Sequence, residues 1–178
     1  DIFDMALKST IFKADLQVAD LDRGHFADYA LTIARHPSET DERMMVRLLA
    51  FAMFAAPDLA FGKGLSTEDD PALAATDLTG ELRLAIEVGL PDEERLRKLA
   101  RRARAAVLVA YGGRAADIWW QQNAPLLGRL ANLQVWRVAA GESAALGGLA
   151  ERTMRLACTL QEGTIYFGDV ELRPERLQ

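Results

Sequence analysis

The clearest pattern in the chain lies at residues 82–88, Leu-Arg-Leu-Ala-Ile-Glu-Val, where one set of alternate positions is wholly apolar. Residues two apart share a face of an extended strand. Leu82, Leu84, Ile86 and Val88 therefore point towards a core, while Glu81, Arg83, Ala85 and Glu87 point the other way. Glu87 then stands at the strand's C-terminal end beside Gly89, where the backbone turns and a ligand can approach. Just upstream, Glu68, Asp69 and Asp70 form an acidic loop without Lys or Arg. Loop carboxylates folded back beside Glu87 would give the oxygen-rich surroundings that Mg²⁺ or Mn²⁺ prefers. The same pattern also suits an ordinary amphipathic strand with a solvated polar face and an unrelated loop.

Residues 7–18 and 24–34 are rich in β-branched and aromatic residues and flank the turn-forming Asp20-Leu21-Asp22-Arg23-Gly24, which predicts a long outer β-hairpin. Pro37 and Ser38 open a helix that runs to about residue 55, with Ser38 as its cap. On that helix Met45, Val46, Leu49 and Met53 fall within about 60° of Glu42, whereas Arg43 and Arg47 lie about 100 to 140° away. Glu42 thus sits on an apolar stripe, either with a cation or as a solvated first-turn residue. A short strand at 59–63 follows. Beyond the strand at 82–88, Leu96, Leu99, Ala100 and Ala103 recur at helical spacing after Pro91.

Residues 105–111 are almost wholly apolar and predict a central strand covered on both faces. A helix at 114–127, a strand at 133–138 and a helix at about 142–153 continue the alternation. The run ends in a closing hairpin at 154–160 and 164–167, followed by a loose polar tail. The predicted fold is α/β, a mixed sheet flanked by helices with an N-terminal β-hairpin.

Length and composition narrow the chemistry. The 178 residues, half of them hydrophobic, fit one domain spanning residues 5–178, with Asp1 to Asp4 read as a remnant ahead of a start at Met5. No apolar run reaches the ~20 residues of a membrane span and no signal-peptide layout is present, so a cytoplasmic protein is expected. Cys158, the single cysteine, lies in an apolar run as a buried inert thiol. His25 and His36 cannot assemble a Cys/His zinc site. Net charge is −5, yet residues 91–130 hold eight basic residues against four acidic, a local +4 that leaves −9 elsewhere. A basic surface on an acidic protein follows, with nucleic-acid phosphate as one partner it would suit. Gly62-Lys63-Gly64 and Gly112-Gly113 are too short for phosphate loops. Of Trp119 and Trp120, one is expected in the core, and the other is left open to stacking or subunit contact.

Three segments, TIARHPSETDERMMVRLLAFA, FGKGLST and GRAADIWWQQN, with the spacing between them, resemble the YaeQ family of small bacterial proteins over residues 5–168. The resemblance implies a restriction-endonuclease-like fold of the PD-(D/E)xK superfamily. It further implies that Asp70 and Glu87 are metal-binding acids, that Glu42 matches an extra helix acid, and that the Val88 carbonyl is another oxygen ligand. The order Asp70-Pro71 departs from the family's Pro-Asp and leaves Glu68 or Asp69 as alternatives. Gly89 stands where the motif lysine belongs, which makes Lys98 and Lys63 its substitutes. The resemblance implies that fold and not an established activity; the function expected from these acids and the basic run is a Mg²⁺- or Mn²⁺-dependent nuclease meeting DNA or RNA through Arg95, Lys98, Arg101 and Arg102. The alternatives are a catalytically inactive nucleic-acid-binding or transcription-associated module on the same fold, and an interaction domain using Trp119 or Trp120.

Overall fold

A computed structural model describes residues 8–62 and 70–178. The N-terminal hairpin forms as expected: β1 (Thr10–Asp20) and β2 (His25–Arg35) pair antiparallel along their whole length. Asp20 closes the turn by accepting from the Arg23 backbone N–H at 3.0 Å. The hairpin forms one edge of a five-stranded sheet, with β2 outermost. β1 runs parallel to β8 (Thr153–Gln161), and β8 pairs with β9 (Thr164–Phe167), which pairs with β10 (Val170–Leu172). Glu162 and Gly163, both at positive φ, make the tight β8–β9 turn.

The second sheet has the order β11-β7-β6-β5-β4-β3. β5 (Leu82–Val88), β6 (Ala105–Ala110) and β7 (Leu133–Arg137) are parallel. β3 (Leu59–Phe61) and β4 (Leu73–Thr76) extend the sheet antiparallel on one side, and β11 (Glu175–Arg176) does so on the other. The protein is thus mixed α/β with two mixed sheets, and its described residues include four helices.

The first helix, α1 (Asp41–Met53), explains why there are two sheets. Every residue from Met44 to Met53 is buried, on all sides of the helix, in one core with Phe12, Leu16 and Val18 of β1 and Leu73, Leu84, Ile86, Val107 and Val109 of the second sheet. A helix that is apolar all round must be enclosed, and the two sheets enclose it. On the far face of the second sheet, α2 (Glu93–Arg102) and α3 (Arg114–Leu127) cover Ala106, Leu108 and Ala110. β6 therefore alternates between two cores, as a central parallel strand should.

Several expectations are corrected. Thr40, not Ser38, caps α1 by accepting from the Arg43 N–H at 3.0 Å, because Ser38 is engaged with His36. The helix expected at 142–153 is α4 (Ala140–Gly147), which stops at Gly147-Gly148 so that β8 can begin. β4 was hidden by its alanine-rich sequence. The tail is ordered: β10 pairs with β9 and β11 with β7, and the Gln178 amide donates to the Leu127 carbonyl at 2.7 Å. Trp119 and Trp120 both pack partly buried against the α2/α3 core, and the Trp119 indole donates to the Pro91 carbonyl at 2.9 Å. Among the described residues no helix is long and apolar enough to cross a membrane.

Cys158 on β8 is buried, and its thiol is pushed up to about 12, first by burial and then by the nearby Asp20 carboxylate. At pH 8 only about 10⁻⁴ of such a thiol is ionised. Native protein should therefore react with an aromatic disulfide reagent only as fast as it opens, and denatured protein within the mixing time. Rapid stoichiometric labelling of the folded protein would contradict this burial.

Candidate functional site

Leu84, Ile86 and Val88 face α1, and Ala85 packs against Leu99 and Ala103 on the α2 side. The alternation of β5 holds from Leu84 onward, whereas Leu82 packs with Ala85 on the α2 side; the second face is covered at Ala85, and Glu87 at its end is only 2% exposed. A carboxylate taken out of water needs a cation and donors. One comes from the residue just before β4: Glu87 Oε1 accepts from the Ala72 N–H at 2.7 Å. The other comes from α2: Glu87 Oε2 accepts from Arg95 Nε at 2.9 Å.

Arg95 is directed there by the start of its own helix. Asp92 caps α2 by accepting from the Arg95 N–H at 2.8 Å, which fixes the first turn directly after β5. The same guanidinium donates through Nη2 to the main-chain oxygen of Asp70 at 3.2 Å. Arg95 thus joins the two acids that the sequence singled out, Glu87 through its carboxylate and Asp70 through its backbone. Across from them, the Gly62 N–H donates to the Ala72 carbonyl at 2.8 Å. A Cβ at Gly62 would lie 2.5 Å from the Pro71 carbonyl oxygen and 3.2 Å from Asp70 Oδ2, so only glycine allows this approach. Gly62 is therefore held against Pro71 and Asp70, close to the Ala72 N–H that reaches Glu87. Lys63, Glu68 and Asp69 lie outside the described residues.

Gly89 explains the missing lysine. Its φ is +94°, and its N–H donates to the Val109 carbonyl at 3.0 Å. A lysine there would be strained whatever space surrounds it. Val88 is in register with Val109, with its side chain in the main core. Lys98 is exposed on α2, 3.6 Å from Glu94, and it shares a shallow cleft with Asp92, Glu94 and Arg95. Arg101 and Arg102 follow on the same exposed surface.

Glu42 lies apart from this cluster. It is partly buried where α1 meets α4, and Ser143 Oγ donates to its Oε1 at 3.1 Å. Gly147 approaches so closely that a Cβ there would lie 3.2 Å from the Glu42 Cα. Among the described residues no three His, Cys, Asp or Glu side chains come close enough together to hold a metal, so Glu42, Asp70 and Glu87 form no three-acid group. The helix still reaches the same end of the sheet. Tyr111 lies just after β6, near Gly89, and interacts with Thr40, Glu42, Arg43 and Glu39. Burial is the main cause that raises its hydroxyl above the ordinary tyrosine value.

The buried acid of this helix region is Glu39. It is 5% exposed, and it accepts from Arg47 Nη2 at 2.5 Å, from Arg47 Nε at 3.0 Å, and from Arg43. Arg47 is wholly buried, with Nη1 unpaired and its guanidinium over the Phe61 ring; burial lowers its pKa from the ordinary arginine value. A helical wheel assigns Arg47 to a polar face because it assumes that the helix has one. The spacing Glu39, Arg43, Arg47, four and eight positions along, was the available signal.

The Glu87 carboxylate and the Asp70 main-chain oxygen thus meet at one cation, the Arg95 guanidinium. A family model described as YaeQ protein matches residues 5–174. The chain belongs to the YaeQ family. It is 52% identical to the uncharacterized protein YaeQ of Salmonella typhi and 49% identical to that of Escherichia coli K12, in each case over 93% of this chain and 91% of the relative. The crystal structure of the YaeQ protein from Xanthomonas axonopodis pv. citri superposes with a TM-score of 0.92 at 46% identity, covering 96% of this chain and 98% of that one. The YaeQ protein from Pseudomonas syringae gives 0.90 at 38%, with 96% of each chain covered.

Glu39, just ahead of α1, and Glu42 on it make opposite predictions in this YaeQ-family fold. Glu39→Gln leaves the Arg47 guanidinium uncompensated in the core and should cost about 3–5 kcal/mol. Glu42→Gln changes one partly exposed hydrogen bond and should cost under about 1 kcal/mol. Chemical denaturation of both variants checks this, and equal costs would refute the assignment.

Proposed function

We propose that this protein is a divalent-metal-dependent phosphodiesterase acting on nucleic acid, built on a restriction-endonuclease-like PD-(D/E)xK fold. The observation that carries the reading is the convergence of Glu87, the Asp70 backbone and the Arg95 guanidinium at the end of β5. A mixed sheet with α1 and α2 on opposite faces of β5 supports the fold assignment.

Glu87 and Asp70 would hold Mg²⁺ or Mn²⁺, with Glu68 or Asp69 and the Val88 carbonyl as further oxygen ligands and Glu42 as the outlying helix acid. The bound ion would lower the pKa of a water and offset charge on the scissile phosphate. Lys98 or Lys63 replaces the motif lysine in orienting that water. Arg95 offers a planar donor fork to a phosphate oxygen. Lys98, Arg101 and Arg102 extend the basic surface along α2 for the nucleic-acid backbone, whether DNA or RNA. A cytoplasmic setting goes with such a substrate.

A second reading, a catalytically inactive binding module, is favoured by one observation. The backbone at Gly89 excludes a lysine, and both oxygens of Glu87 are already engaged. Calorimetry separates the two. The nuclease reading predicts Mn²⁺ binding by the wild type and at least about tenfold weaker binding by Glu87→Gln. Equal affinities would reject Glu87 as a ligand. Absence of Mn²⁺ binding, together with oligonucleotide affinity that falls steeply with salt, would favour the binding module.

A further inference from the structure

The charge balance at Glu87 carries a consequence for how the proposed site would fill. Oε2 is held by Arg95 and Oε1 by the Ala72 N–H, so each oxygen of the buried carboxylate is engaged. A metal ion on Oε2 would stand beside the guanidinium. The two cations would compete for one oxygen and repel each other at close range in a poorly solvated corner. Arg95 cannot simply leave either, because a buried carboxylate without a counter-charge is strongly disfavoured. Exchange is the favoured route, with a metal cation arriving as the guanidinium departs.

The departing guanidinium needs an anion, and its position suggests which. Arg95 keeps about a fifth of its side chain in contact with solvent (21%) and opens into the cleft that it shares with Lys98. Asp92 and Glu94 also line that cleft, but Asp92 is engaged in capping α2 and Glu94 pairs with Lys98. A phosphodiester lying along Lys98, Arg101 and Arg102 would therefore bring its oxygens to the outer edge of Arg95, where bidentate phosphate recognition suits the guanidinium fork.

We infer that Arg95 is a phosphate-responsive latch on the metal site: it occupies Glu87 in the free protein and transfers to a nucleic-acid phosphate, so that divalent cation and substrate bind cooperatively. This rests on the proposed function above. Linkage makes the coupling reciprocal, since a phosphodiester that draws Arg95 outward favours the metal and the metal favours the phosphodiester. The latch weakens metal binding until a backbone is present.

The test is Mn²⁺ calorimetry at constant ionic strength on wild type, Arg95→Gln and Arg95→Lys, with and without a twelve-nucleotide thymidylate whose backbone is phosphorothioate. Thermal melts confirm that each variant is folded; Arg95→Lys keeps the charge should Arg95→Gln not fold. The latch predicts that the oligonucleotide tightens Mn²⁺ binding to wild type by about tenfold. It also predicts that Arg95→Gln alone binds Mn²⁺ about tenfold more tightly than wild type and gains less than about twofold from the oligonucleotide. Arg95→Lys, a point charge without the fork, should fall between them in both respects. If wild type binds Mn²⁺ but both variants bind it with unchanged or weaker affinity, the latch is overturned while the metal site stands. If no protein binds Mn²⁺ under any condition, the metal reading fails and the latch falls with it.

Discussion

A carboxylate buried at the end of a central strand must be given a cation and hydrogen-bond donors, and much of the second half of this fold meets that demand. Left alone, Glu87 would cost about 3–5 kcal/mol, a large part of the stability of a domain this size. The backbone just ahead of β4 supplies one donor through Ala72, and α2 supplies the charge through Arg95. Asp92 caps α2 at the point that sends Arg95 back over β5, and Gly89 provides the positive-φ turn between strand and helix. Gly62 lets the other limb of the acidic segment come against Pro71 and Asp70. Each of these residues makes sense as a support for one buried charge.

A second buried ion pair works on α1. Glu39 and Arg47 lock the entry of that helix beneath the first sheet, where Arg47 Nη2 also donates to the Ala34 carbonyl at 3.0 Å. The helix is otherwise apolar from Met44 onward, so packing alone would tolerate rotation or sliding between the sheets. A pair that is satisfied in one register only sets that register, and Thr40 and Tyr111 tie the same end to the strands bearing Glu87. The enclosed helix and the Glu87 corner are thereby held in a fixed relation through β6.

Much of this was legible in the chain. The strand at 82–88, the hairpin turn at Asp20 to Gly24, the helix at 114–127 and the apolar strand at 105 onward all declare themselves by period and by turn chemistry. Partner choice was not legible. Nothing local tells β1 to pair with β8 rather than with the central sheet, and the enclosure of α1 is a property of two distant segments meeting. That same enclosure turned the expected polar face bearing Arg47 into core. At the site, Glu87 was found because alternation and a following glycine mark it. Arg95 was missed as its partner because it looks like one of six bases within ten residues, and only the Asp92 cap decides which of them turns inward.

The central claim is that the cation now on Glu87 is exchangeable for a metal ion. Its most direct test is anomalous diffraction from crystals grown with Mn²⁺ and a non-hydrolysable oligonucleotide. The account predicts a manganese peak within bonding distance of Glu87 and the Asp70 segment, with Arg95 turned outward onto a phosphate. A Glu87–Arg95 pair that persists unchanged under those conditions, with no manganese beside it, would contradict the account and mark Glu87 as a structural charge.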